Sequence, residues 1–295
     1  MKTEKTIYAL GFFDGVHLGH QKLLRECAAL AASLGCRAGA VTYDRHPDSL
    51  MGGAPGLLRG AQDRIRLMEA QGMDPVQVLP FDEQLMRTPW RDFFDRRVTE
   101  FGACGLVCGD DFRFGSRGEG NAALLKAACE SRGIPCVIVP EQTVDGIRVS
   151  STHIRRLIEA GKMEEAVRFL GHPHVLTGQV VKGRQLGRTI GIPTANLWLP
   201  EGVVCPRFGV YACQALADGA RYLAVTNVGV RPTVSGSGIT VEPWLLDIEG
   251  DLYGKTLTLE FYAFLRPEQK FDSLEALQAE IRKNGAQTRD FFGKN

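Results

Sequence analysis

The ten residues Gly11–His20, GFFDGVHLGH, constrain this chain more than any other stretch. An apolar run, Thr6–Phe12, precedes them and reads as a short buried strand. Gln21–Leu34 follows, with Leu23, Leu24, Cys27, Leu30, Ala31 and Leu34 at helical spacing and Gly35 as the stop. Strand, tight glycine turn and helix in this order open a Rossmann-like unit. The turn falls where a helix exposes its unpaired N–H groups, which favours an anion. His17 and His20 stand three residues apart, so a helical turn places both on one face. Two imidazoles there can hydrogen-bond phosphates and steady the charge that builds during a transfer.

The alternation continues downstream. Strands are expected at Arg37–Tyr43, Val76–Leu79, Gly105–Gly109 and Cys136–Val139. Helices are expected from about Gln62 to Gln71, over Phe81–Phe101 with a break at Pro89, and from a cap at Asn121 to Arg132. Trp90, Phe93, Phe94 and Val98 then pack their helix on the sheet. Such a pattern argues for a parallel, doubly wound sheet, whose ligands bind at the carboxyl ends of the strands. His46 before Pro47 marks one such loop. In DDFRFGSRGEG, Phe112 and Phe114 offer aromatic faces, and Gly115, Gly118 and Gly120 let backbone come close to a ligand. In VSSTHIR, the hydroxyls of Ser150, Ser151 and Thr152 and the guanidinium of Arg155 together suit a polyphosphate.

After a short helix, Met163–Leu170, the segment Gly171–Gly178 breaks the helical pattern. The expected boundary lies there, with an α/β domain over 1–171 and a second domain over 172–295. The 295 residues suffice for two cores. Val175–Val181, Val210–Leu216, Tyr222–Val228, Ile239–Ile248 and Thr256–Phe264 are rich in β-branched and aromatic residues. They predict a small antiparallel barrel, closed by a C-terminal helix over Ser273–Asn284. In KGRQLGRTIGIPTANL, Gly183, Gly187 and Gly191 permit close phosphate approach. Thr194 and Asn196 supply a hydroxyl and an amide oxygen, hard ligands suited to Mg²⁺ beside phosphates.

A formal net charge of +1 leaves no broad field for nucleic acid or an anionic membrane. No apolar run reaches the ~20 residues of a membrane helix, and the N-terminus lacks a signal-peptide core. The eight cysteines form no CxxC pair and sit mostly in apolar runs, as small buried hydrophobes do. The expected setting is a reducing cytoplasm, with small molecules as partners and a monomer or weak homo-oligomer as the assembly.

Two groups of residues carry a family resemblance. GFFDGVHLGHQ, with TYDRHP, GDDFRFG and VSSTHIR, resembles the nucleotidylyltransferase half of bacterial riboflavin kinase/FAD synthetases. GRTIGIPTANL, with TNVGVRPTV, ITVEPWLLD and DLYGKTLTLEFYAFLRPEQKF, resembles the riboflavin kinase half. The likeness runs from Tyr8 to about Phe292. It implies ATP binding by Gly11, Phe12, Phe13, Asp14, Gly15, His17 and His20, with His17, His20, Ser151, Thr152 and Arg155 acting in adenylyl transfer. It implies flavin binding by His46, Asp111, Phe112, Phe114 and Gly115 in the first half, and by Asn227 and Arg266 in the second. Gly183, Gly187 and Arg188 shape the second nucleotide loop, Thr194 and Asn196 hold Mg-ATP, and Glu242 is the base for the ribityl 5′-hydroxyl. The chain departs from the pattern at Arg45, Asp111, Pro243, Trp244 and Asn284, where relatives usually carry Pro, Asn, a small or branched residue, His and Asp. The implied activity is phosphorylation of riboflavin to FMN, then adenylylation of FMN to FAD. Two alternatives stay open: an FAD synthetase with a flavin-binding but weak or inactive barrel, and a flavin-binding regulator without turnover.

Overall fold

The computed structural model describes residues 5–183, 187, 191–233, 236–248 and 252–293. By internal contacts the chain divides into two compact units. One is Met1–Leu57 with Ala61–Ser151, the other Leu58–Gly60 with Thr152–Asn295. The last helices before the barrel, α6 (Ser151–Glu159) and α7 (Met163–Leu170), therefore group mainly with the second unit.

The first unit is built on β1 (Thr6–Leu10), β2 (Arg37–Tyr43), β3 (Val76–Leu79), β4 (Ala103–Gly109) and β5 (Cys136–Val139). They form a five-stranded sheet in the order β3-β2-β1-β4-β5, and every pairing is parallel. Each residue of the central β1 is buried, as a strand covered on both faces must be. Its alternation splits the core in two. Ile7 and Ala9 pack with Leu24 and Cys27 of α1 (Leu18–Ser33) and Met68 of α2 (Ala61–Ala70). Tyr8 and Leu10 face the other way, toward Phe93 and Phe94 of α4 (Trp90–Glu100) and Leu125 of α5 (Ala122–Ser131).

Boundaries differ from expectation for local reasons. β1 stops at Leu10, because Gly11 and Phe12 turn out of the sheet while still bonded to β2, Gly11 N donating to Val41 O and Thr42 Oγ1 to Phe12 O. α1 starts at Leu18, not Gln21, because His17 caps it. The 81–101 segment breaks into α3 (Glu83–Met86) and α4, with Pro89 as the extended residue before Trp90.

The second unit contains β6 (His174–Gln179), β7 (Leu197–Trp198), β8 (Gly209–Ala217), β9 (Ala220–Thr233), β10 (Gly236–Leu245) and β11 (Thr256–Pro267). They make a six-stranded antiparallel sheet in the order β6-β11-β8-β9-β10-β7. Its two edges nearly meet, since a Cβ at Gly178 of β6 would come within 3.1 Å of the Leu197 side chain of β7. Tyr211, Cys213, Leu259 and Phe261 fill the interior. The closing helix, α8, spans Leu274–Gly293 and so runs well past the expected end at Asn284. Asn284, Gly285 and Thr288 are its buried residues, so Gly285 lies inside the helix and does not stop it.

All eight cysteines are free thiols, and Cys27, Cys108, Cys129 and Cys213 are buried. Among the described residues no helix is long and apolar enough to cross a membrane.

Candidate active sites

The first unit carries a cavity of about 340 Å³ at the carboxyl ends of β1, β4 and β5, beside the start of α1. Its floor is the turn after β1. Phe13, Gly15 and Val16 adopt φ of 58°, 76° and 42°, all left-handed. For a phenylalanine and a β-branched valine this conformation is strained by about 1–3 kcal/mol each, and it persists only where the surroundings over-determine it. They do so here. Phe13 and Val16 are at most 1% exposed. Val16 N donates to Phe13 O at 3.0 Å, Ser151 Oγ to Asp14 O at 3.0 Å and Gln21 Nε2 to Val16 O at 2.9 Å. Ser151, from the far end of this unit's sequence, thus locks the turn it was expected to serve.

His17 does not sit within the helix. It is the N-cap, with extended backbone (φ −64°, ψ 173°), and its Nδ1 accepts from His20 N at 3.3 Å. The two rings still meet, stacked 3.6 Å apart and 12° from parallel, and both line the cavity. The stack needs Gly19, where a Cβ would lie 3.3 Å from the His17 ring. With Nδ1 accepting, a neutral His17 carries its proton on Nε2. Burial above all, then His17 and Arg64, holds His20 well below the usual histidine range, so this ring is uncharged at neutral pH. Its Nδ1 is buried without a hydrogen-bond partner among the described residues.

Gly11, Phe12, Phe13, Ser150, Ser151, Asp111 and Phe112 also line the cavity. Asp14 is buried beneath it, and Gly15 belongs to the turn without lining it. His46 lies outside the lining; it caps the turn at Pro47–Met51 by accepting from Asp48 N at 3.1 Å, and its ring meets Phe12 edge-on at 5.0 Å. Phe114, expected to offer a face to flavin, turns into the core between Phe112 and Phe93. Gly115 packs on Trp90, where a Cβ would come within 2.6 Å of backbone. Thr152 and Arg155 continue α6 from Ser151 and group with the second unit; Arg155 is 8% exposed.

Two arginines escaped sequence reasoning. Arg148 lines the cavity and bridges Asp111 and Glu141, the latter at 2.9 Å. Arg64 is fully buried, donates to Tyr43 O and lies 4.3 Å over the Phe12 ring. The signal for Arg64 was an arginine on the apolar stripe of a helix, an unusual place for a charge.

The second unit carries its own cavity, about 420 Å³, between the barrel and α8. Strand register builds its polar row. Arg266 on β11 pairs with Val210 on β8, Val210 with Asn227 on β9, and Asn227 with Glu242 on β10. All four line the cavity, as do Gly187 and Thr194. Arg266 Nε donates to Asn284 Oδ1 at 3.0 Å and lies 3.5 Å from Glu280, so a carboxylate one turn earlier balances the arginine where position 284 is neutral. Glu268, a further lining residue that sequence reasoning missed, accepts from Asn227 Nδ2 at 3.4 Å. Pro243 is tolerated in β10 because its backbone polar side faces β7, its carbonyl accepting from Ala195 N at 2.9 Å, so the missing N–H falls just beyond that short pairing. Asn196 is buried behind the cavity, its amide against Gly183, where a Cβ would lie 2.4 Å from Nδ2. Arg188 lies outside the described residues.

Comparison with known proteins matches this division. Residues 1–153 fit the FAD synthetase family model, and residues 170–292 the riboflavin kinase model. Proteins named bifunctional riboflavin kinase/FMN adenylyltransferase align along nearly their whole lengths. The one from Listeria monocytogenes is 34% identical over 98% of this chain and 93% of its own. That from Pseudomonas fluorescens is 37% identical over 96% and 92%, and that from Escherichia coli K12 35% over 98% and 94%. A solved structure described as a macrolide-efflux protein from Streptococcus pneumoniae superposes with a TM-score of 0.89 at 29% identity, over 98% of this chain and 95% of that one. Its name is a statement about that protein; its backbone shows that the two chains share a fold from end to end. With both family models matched in order and relatives covered throughout, the chain belongs to the bifunctional riboflavin kinase/FMN adenylyltransferase family.

Proposed function

We propose that the two cavities divide the family's two reactions between them. In the first, an oxygen of the FMN phosphate attacks the α-phosphorus of ATP; the bond to the β-phosphate bridge breaks, giving FAD and pyrophosphate. FMN is already a competent nucleophile, so positioning and charge stabilisation suffice. The stacked His17 and His20 donate to the departing phosphates, His20 as an uncharged ring, and Ser151 acts with them. Asp111 accepts from the flavin ring, and Phe112 packs against it.

In the barrel, the riboflavin 5′-hydroxyl attacks the γ-phosphorus, ADP leaves, and Glu242 takes the hydroxyl proton. Asn227 and Arg266, in the same row, border the flavin. Thr194 faces the same cavity, and with Asn196 it offers oxygen donors that suit Mg²⁺. When bound, Mg²⁺ supplies neutralisation of the phosphate charge. The cytoplasm, where these small molecules occur, is the setting we propose, with the single chain as the working unit.

The observation that carries this reading is that each unit has its own cavity, the first lined by Phe12, His17, His20, Asp111 and Ser151 and the second by Thr194, Asn227, Glu242 and Arg266. Incubation with riboflavin, ATP and Mg²⁺, with chromatographic separation of products, is expected to show FMN rising first and FAD after it. Conversion of added FMN to FAD without any conversion of riboflavin would instead favour a barrel that only binds flavin.

A further inference from the structure

We propose that Trp244 is a flavin-ring-binding residue of the barrel, held in place by the glycine at position 285 of the closing helix. The inference rests on the reading of the barrel cavity as the riboflavin site. Trp244 shares a face of β10 with Glu242, two residues away, and stands directly opposite Val225 of β9. All three line the cavity. Trp244 is half-buried and packs with Val210, Val225 and Leu246. The row holding Glu242 supplies the polar end of the cavity, and the next row supplies an apolar wall on which a flat fused ring can lie.

Gly285 explains how so large a side chain fits. The helix covers the cavity with Leu274, Leu277, Ile281 and Asn284, a stripe at helical spacing. Position 285 follows that stripe and is buried. A Cβ there would come within 2.9 Å of Trp244 Cζ3 and 3.3 Å of Cη2. The far edge of the indole therefore rests on bare helix backbone. Glycine is a poor residue for a helix interior, and among the described residues no left-handed φ at 285 calls for it. The indole does. Any side chain at 285 pushes the ring toward the space the flavin is to occupy.

The first test is Gly285→Ala. A glycine that served packing alone would show the cost of the crowded Cβ in Tm, offset in part by alanine's better helix propensity, and leave kinetics alone. The proposal expects, whatever the change in Tm, a KM for riboflavin raised about 3- to 10-fold at a nearly constant kcat. Adding Trp244→Phe, which shortens the ring, is expected to restore much of the KM. The second test reads contact directly, because indole quenches flavin emission at close range. Riboflavin bound to the parent is expected to be dim, and riboflavin bound to Trp244→Phe bright, with equilibrium dialysis confirming occupancy in both. Equal emission from the two bound forms, or a kinetically silent Gly285→Ala, overturns the proposal while leaving the barrel reading intact. No riboflavin binding by dialysis in the parent overturns the barrel reading and the proposal with it.

Discussion

The two cavities are assembled by opposite means. The first is a loop device: residues adjacent in sequence, 11–20, are bent into strained backbone and pinned by Ser151, Thr42 and Gln21. The second is a register device: Arg266, Val210, Asn227 and Glu242 come from four strands and meet only because the strands pair as they do. A loop site concentrates its chemistry and its strain in one place. A register site spreads both across a sheet whose pairing must be right everywhere.

Four measurements can break or sharpen this contrast. Glu242→Gln is expected to lower riboflavin phosphorylation about 10²- to 10⁴-fold, the usual contribution of a general base. FAD formation from FMN should not change, and a joint loss would show that the two sites do not work independently. His17→Ala with His20→Ala is expected to lower FAD formation on the order of 10²- to 10³-fold and spare the kinase.

Histidines offer a finer comparison. His20 faces a cavity, whereas His174 lies in the barrel's packed interior, 1% exposed, with neither ring nitrogen hydrogen-bonded among the described residues. Burial first, then Arg59 and His172, pushes His174 down to about 3. The unfolded chain therefore takes up a proton that the folded one refuses. Stability is complete above about pH 6.5 and falls as pH drops toward 3, by at most about 1.4 kcal/mol per pH unit. His174→Leu should remove this loss, so urea melts at pH 5 ought to narrow the gap from neutral pH by about 2 kcal/mol; an unchanged gap would mean the ring protonates without unfolding. The smallest effect is expected from Asp111→Asn. The Asp111–Arg148 pair is more than half exposed on the aspartate side, so stability should shift by less than about 1 kcal/mol. A change in the KM for FMN would then belong to the flavin contact and not to the ion pair.

The contrast also governs what could be read from sequence. The alternation of strands and helices points to the parallel sheet, and the short runs rich in β-branched and aromatic residues point to the barrel, because each signal is local. His17, His20 and Ser151 stand in local motifs, and the fold brings all three to one cavity. A helix start at Gln21 misses that His17 is itself the cap of a helix opening at Leu18, since spacing by three cannot distinguish a cap from a first turn. Phe114 was read as a ligand face because periodicity in a two-residue strand carries no information on which side is core. Arg148 and Glu268 were invisible: their partners lie far off in sequence or in another strand. The end of α8 was misjudged because a glycine after Asn284 looks like a stop until the indole beneath it is seen.

The row across β11, β8, β9 and β10 has a consequence for how this protein can fail. A slip of one residue between β9 and β10 would turn Glu242 and Trp244 away from the cavity together and bring the buried Val241 and Leu245 out in their place. The damage would stay within the second unit, whose cavity would then have no base facing its riboflavin. Loss of phosphorylation in a preparation with intact secondary structure would then record an error of assembly rather than damage to any single residue.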